Sequence, residues 1–275
     1  MTHAEIADAA RRADLPWIEG LARYGLVAKG ASYVLVGVLA GLLAAGAGGT
    51  ATSREGALHV IADEWWGTLV LVLLMLGFAA YCLWRLLQAI FDREHEGSDL
   101  EGLAKRAGYV GRAAIYAVLT YSTVRLLADA GSGDESQTGK ARKATAQVLD
   151  WPAGRWLVAL AGVALIGAGL VNGYRAFTQS FDEKWDTQRM SAAEQRWGRR
   201  IGATGLLARL VVFGLIGAFL IKAAAEYEPQ EAVGLDGALR RVAEAPYGPV
   251  LLGTVALGLL CYGTYCFVEA RYRRV

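Results

Sequence analysis

The chain has 275 residues, of which 55% are hydrophobic and 20% charged, with a formal net charge of +2 and a mean hydropathy of +0.31. So small a net charge gives no basic footprint for nucleic acid, and no nucleic-acid partner is expected. Cys82, Cys261 and Cys266 lie in apolar stretches without a C-x-x-C pair, and His3, His59 and His95 stand on separate segments, so the pattern implies neither a metal site nor a cofactor.

In chain order, residues 4–22 mix Ile6, Leu15, Trp17, Ile18 and Leu21 with charges and read as an interfacial surface helix, broken near Pro16, that forms an N-terminal segment over 1–22. They contain no apolar h-region of a secretory signal, so the first span is expected to direct insertion. Uncharged stretches then cover 30–53, 66–84, 113–124, 156–174, 210–221 and 245–268. Four reach the ~18 residues that a hydrocarbon core requires. The two shorter ones are bounded by Arg112 with Arg125 and by Arg209 with Lys222, whose long side chains can stretch outward to the headgroups. The predicted spans are 25–46, 66–91, 108–128, 155–177, 203–225 and 248–268. The alternative, a soluble domain of six helices apolar all round, runs against the usual amphipathic stripe. The predicted fold class is therefore all-α: a polytopic membrane protein of six transmembrane helices. Lys and Arg number fourteen in the termini and even-numbered connections against six in the others, which predicts cytoplasmic N- and C-termini and a multi-pass protein of a bacterial cytoplasmic membrane.

The chain repeats itself. Residues 56–93 align with 237–274 without a gap, placing Gly67 on Gly248, Gly77 on Gly258 and Tyr81 on Tyr262. "GLVAKGASY" (25–33), "GYVGRAAIY" (108–116) and "GLLARLVVF" (205–213) share the frame G-x3-[KR]-x3-[YF], and spacing by four puts each set on one helix face. In the middle copy Gly154 follows Gly67 by 87 residues, while Arg175, Phe181 and Asp182 follow Arg85, Phe91 and Asp92 by 90, implying one extra turn. The units are repeat 1 over 23–93, repeat 2 over 104–182 and repeat 3 over 199–275, each with two transmembrane helices. Repeats with an even number of spans enter the membrane with the same sense, which predicts pseudo-threefold symmetry about the membrane normal.

The stretch "DGALRRVAEAPYGPVLLGTVALGLLCYGTY" (236–265) and the three-hairpin layout resemble the DUF1206 family, bacterial and of actinobacterial type, an integral membrane family of unknown function with three two-helix repeats. The resemblance covers 23–274 and rests on Gly-Ala-Leu, Pro-aromatic-Gly and Gly-x3-Tyr elements. Repeat 1 lacks the Pro at Trp65-Trp66-Gly67, and repeat 2 lacks Gly-Ala-Leu. The resemblance implies a fold and no catalytic residue.

Among the connections, 56–62 and 237–243 are predicted as short interfacial helices, "SDLE" (98–101) and "SAAE" (191–194) as capping boxes of helices that run into the next span, and "GSGDESQTGK" (131–140) as an exposed loop. Trp65, Trp66, Trp151, Trp156 and Tyr247 are placed at the outer headgroup level.

Lys29, Arg112 and Arg209 occupy equivalent positions one turn inside the predicted spans, with Arg85 and Arg175 at about the same level. Two readings stay open: snorkelling towards anionic lipid headgroups, or a shared inward-facing site. Tyr33, Tyr116 and Phe213, one turn deeper, are the axis-lining candidates. No nucleophile with a base, no metal set and no paired carboxylates emerge, so no enzyme is expected. The favoured function is a lipid- or partner-binding membrane module with a basic cytoplasmic rim, engaging membrane lipids and a membrane or cytoplasmic protein. The alternative is a small-anion channel or carrier built on the basic ring.

Overall fold

Long runs of Leu, Val, Ala and Gly without Pro satisfy their own backbone groups only as helices when water is scarce, and helices are what form. The computed structural model describes residues 16–48, 51–62, 64–92, 97, 99–128 and 136–274; residues 1–15 of the N-terminal segment lie outside them. Nine α-helices occupy the described residues: α1 Pro16–Ala44, α2 Arg54–Ala62, α3 Gly67–Phe91, α4 Leu100–Ala128, α5 Gln137–Leu149, α6 Gly154–Thr178, α7 Ala192–Glu226, α8 Leu235–Glu244 and α9 Gly248–Tyr272. Each repeat is thus a long helix, a short helix and a helix of 25 residues.

Five helices, α1, α3, α6, α7 and α9, are long and apolar enough to cross a membrane. The expectation was six. At 29 residues α4 has the length, but Arg112, Arg125, Thr120, Ser122 and Thr123 keep it short of the others' apolarity.

Several local expectations change. The middle copy has no extra turn: α3 and α6 have equal length and end on left-handed residues, Asp92 (φ 47°) and Gln179 (φ 58°). A constant offset of 87 therefore pairs Arg85 with Asn172, and Arg175 with Gln88 rather than with Arg85. The expected loop at 131–140 gives way to helix from Gln137, because the Ser136 hydroxyl accepts from the Gly139 N–H and caps α5; residues 131–135 are outside the described set. Ser191 and Glu194 form the expected capping box. In the other, residue 98 is not described, and the Asp99 carboxylate accepts from Gly102 N–H.

The first helix of each repeat packs on the last helix of the preceding one, in a cycle: α4 on α3, α7 on α6 and α1 on α9. Within repeats 1 and 3 the two long helices also pack, α1 on α3 and α7 on α9. In repeat 2, α4 and α6 make isolated contacts at most. Glycines explain the closed pairs. A Cβ on Gly25 would lie 2.6 Å from Tyr81, and one on Gly205 would lie 2.5 Å from the Tyr262 backbone, whereas the equivalent Gly108 faces open space. The two larger cores join α1 to α7 and α9, and α1 to α3 and α4, while α6 contributes to a small cluster around Leu149, Val158 and Ala224.

The short helices form a layer over one end of the bundle. Asp236 of α8 accepts from the backbone and hydroxyl of Thr138 on α5, and Lys140 of α5 reaches Glu55 of α2 at 2.8 Å. At the opposite end the chain after α9 is tied to the connection before α7: Arg274 N–H donates to Lys184 O, and its guanidinium donates to Trp185 O.

Candidate functional site: cations among tyrosines

Lys29 lies near the middle of α1, Arg112 near the middle of α4 and Arg209 near the middle of α7. Lys29 is only 7% exposed, and its Nζ sits over the rings of Tyr81 (5.4 Å) and Tyr262 (5.1 Å). The side chain therefore points into the bundle, not along the surface towards an interface. Arg209, half-buried, donates to Tyr262 Oη, and its guanidinium lies 4.5 Å from the Tyr262 ring and 4.7 Å from Phe213. Arg85, 4% exposed, donates to Tyr81 Oη at 2.7 Å and to Gln88 Oε1 at 2.6 Å, and stacks on Trp84 at 4.1 Å. Arg112 is exposed on α4, 5.6 Å from the Tyr109 ring, which the Arg85 guanidinium also faces at 5.6 Å. Arg175 is half-buried, within electrostatic reach of Glu269.

Of the axis-lining candidates, Tyr33 and Tyr116 are buried and Phe213 is half-buried. Tyr33 meets Tyr262 edge-on with ring centres 4.7 Å apart, and Tyr116 lies 4.3 Å from Tyr81. A cation that the sequence did not single out joins them. Arg54, the first residue of α2, donates to Tyr116 Oη at 3.0 Å and lies over Tyr33 (5.1 Å) and Tyr116 (5.3 Å). Its equivalent under the 181-residue offset is Leu235, so it breaks the symmetry of the repeats. Tyr81 and Tyr262 were visible as a matched pair in the G-x3-Y element, but only the structure makes them the rings on which the cations rest.

The charge balance is one-sided. Glu55 and Glu269 are the buried acids among the described residues: Glu55 takes Lys140, and Glu269 takes Arg273 at 3.1 Å and also lies within electrostatic reach of Lys29, Arg175 and Arg85. Among the described residues no carboxylate lies within ion-pair distance of Lys29, Arg54, Arg85 or Arg209. The Nε–H groups of Arg85 and Arg209 are buried without an acceptor. Each cation–π contact contributes about 0.5 to 2 kcal/mol, whereas taking an ion out of water costs several kcal/mol even after relaxation. The rings therefore offset only part of the cost, and donors remain for a negative group.

These features define a three-repeat helical protein of membrane type with a cationic, aromatic interior. The chain belongs to the family described as Domain of Unknown Function (DUF1206), which matches it three times, at residues 24–92, 107–179 and 204–273. It is 34% identical over 260 residues to the uncharacterized protein YxxB of Bacillus subtilis (strain 168), covering 94% of this chain and 93% of that one. No solved structure matches the chain.

Proposed function

We propose that this is a non-enzymatic binding module of the bacterial cytoplasmic membrane, crossing it six times with both termini cytoplasmic, that holds an anion of the phosphate class among Lys29, Arg85, Arg112 and Arg209. The observation that carries this reading is the excess of buried positive charge: two unfilled guanidinium N–H groups and a lysine held only by ring faces. Guanidinium forks match tetrahedral oxyanions in a way that a point charge does not, which favours phosphate or sulfate over halide. The site lies inside the bundle rather than on a cytoplasmic rim. For α4 to count as a span, Arg112 must face this interior instead of hydrocarbon, and the Tyr109 ring that it shares with buried Arg85 supports that.

The second reading, a channel or carrier for small anions, needs a through route. Tyr33, Tyr116 and Tyr262 fill the interior, and Arg54 with the short-helix layer lies over them, so conduction would require those groups to move. Binding is the better-supported of the two.

The test is a calorimetric titration of delipidated protein in neutral detergent with inorganic phosphate at fixed ionic strength. Saturable binding is expected for the wild type, with at least a tenfold loss in Lys29→Gln and in Arg209→Gln and none in Arg240→Gln on α8. Equal heats in all four proteins would refute the reading.

A further inference from the structure

The middle repeat leaves a lateral opening where the other two repeats are closed. On α4, Gly108, Gly111, Arg112 and Ile115 are exposed along one face, and no atom comes within 4 Å of a Cβ placed on either glycine. On α6, Ala164 and Ala168 are exposed. In repeat 1 the same frame is filled: Gly77 packs on Ala28, and Tyr81 covers Gly25. The offsets of 83 and 87 put Gly111 in the place of Ala28, Ala164 in that of Gly77 and Ala168 in that of Tyr81. The loss of a tyrosine to an alanine removes the ring that would otherwise plug the hairpin.

Apart from Arg112 these exposed residues are apolar. Arg112 is exposed on α4 and shares the Tyr109 ring with Arg85 on α3, each guanidinium 5.6 Å from the ring centre. Arg85 is 4% exposed and has an Nε–H without an acceptor. A soluble anion would use the cations alone and leave the flanking apolar slot empty.

We infer that the slot between α4 and α6 takes an acyl chain of an anionic lipid whose phosphate headgroup is held by Arg112, Arg85, Arg209 and Lys29. This rests on the anion-binding reading above and narrows it to an amphiphile that enters sideways from the bilayer. The charge complementarity is specific: the slot runs to a cluster of cations with unfilled donors, so a zwitterionic lipid of the same chain length should be discriminated against. Chain burial is favourable relative to water but adds little relative to the bilayer itself, so the headgroup sets selectivity and the slot sets access.

The test is native mass spectrometry of the detergent-purified protein with phosphatidylglycerol and with phosphatidylcholine of identical chains, run beside the inorganic phosphate titration. Gly111→Leu and Ala168→Leu fill the slot at two separate open positions, so misfolding of one leaves the other informative; melting curves identify a misfolded variant. The expected result is at least tenfold preference for phosphatidylglycerol, lost on filling the slot, with inorganic phosphate affinity within twofold of wild type in both variants. Lys29→Gln should weaken both ligands. Undiminished phosphatidylglycerol retention in folded slot-filled variants, or equal retention of the two lipids, would overturn the inference. Binding of inorganic phosphate without phosphatidylglycerol would overturn it while leaving the anion reading intact. Failure of both ligands would overturn both.

Discussion

Repeats 1 and 3 and repeat 2 start from the same sequence frame and end in different structures. In repeats 1 and 3 a frame glycine, Gly25 or Gly205, lies under a tyrosine on the returning helix, Tyr81 or Tyr262, and the two helices lock. In repeat 2 the glycine is kept as Gly108 but the tyrosine is replaced by Ala168, and the helices part. A glycine face permits close approach, and it needs a filling partner before approach is worth making. The two closed hairpins supply the rings on which the cations rest, and the open one leaves Arg112 exposed.

The largest difference between the repeats is expected at the frame glycines. Gly205→Ala should lower stability by about 1–3 kcal/mol, because the new methyl overlaps the Tyr262 backbone, whereas Gly108→Ala should stay within about 0.5 kcal/mol of wild type. Reversible unfolding in mixed detergent micelles would distinguish them, and equal losses would mean that repeat 2 is closed as well. Next in size is the cation cluster. Saturating phosphate at about 100 times its Kd should stabilise the wild type by about 2.7 kcal/mol, and Lys29→Met should remove most of that increment, read as the shift in melting temperature on adding phosphate. A third variant sharpens the contrast by restoring the missing ring: Ala168→Tyr should bring repeat 2 towards the closed form and reduce chemical modification of a cysteine placed at Gly111 several-fold.

The smallest effect lies outside the bundle. The 35 residues of α7 make a helix of about 52 Å, well beyond a ~30 Å hydrocarbon core, so its first turns project past it. There the Tyr272 hydroxyl donates to Glu194 at 2.6 Å and the Ser191 backbone and hydroxyl donate as well, which together hold the Glu194 carboxyl well below the usual carboxylate range. A carboxyl whose folded value is depressed contributes stability above its unfolded value and loses it as pH falls towards the folded one. Glu194→Gln should thus lower the melting temperature slightly at pH 7, and the difference from wild type should shrink on acidification below about pH 4.

Much of the fold was legible because glycine spacing, apolar run length and repeated motifs act along the chain. Arg54 was not, since a cation just beyond an apolar run reads as interfacial; only the inward turn of α2 aims it at Tyr116. The offset of 90 at Arg175 came from the chance likeness of Phe181-Asp182 to Phe91-Asp92, whereas the left-handed caps at Asp92 and Gln179 record the true register. The start of α5 was hidden because its Gly, Ser and Thr residues favour loops until the Ser136 cap is made. Of the site, the basic positions of the repeated frame were readable, but the packing of Lys29 and Arg209 against Tyr81 and Tyr262 is a property of helix rotation, which a single span does not encode.

In the proposed complex an interior cation cluster holds a phosphate group reached through the open middle repeat. A crystal structure of the protein grown from phosphatidylglycerol tests it most directly. Tetrahedral density against Lys29, Arg85, Arg112 and Arg209, with a chain running between α4 and α6, is the predicted result; α4 packed against α6, with water alone beside Lys29, would contradict it.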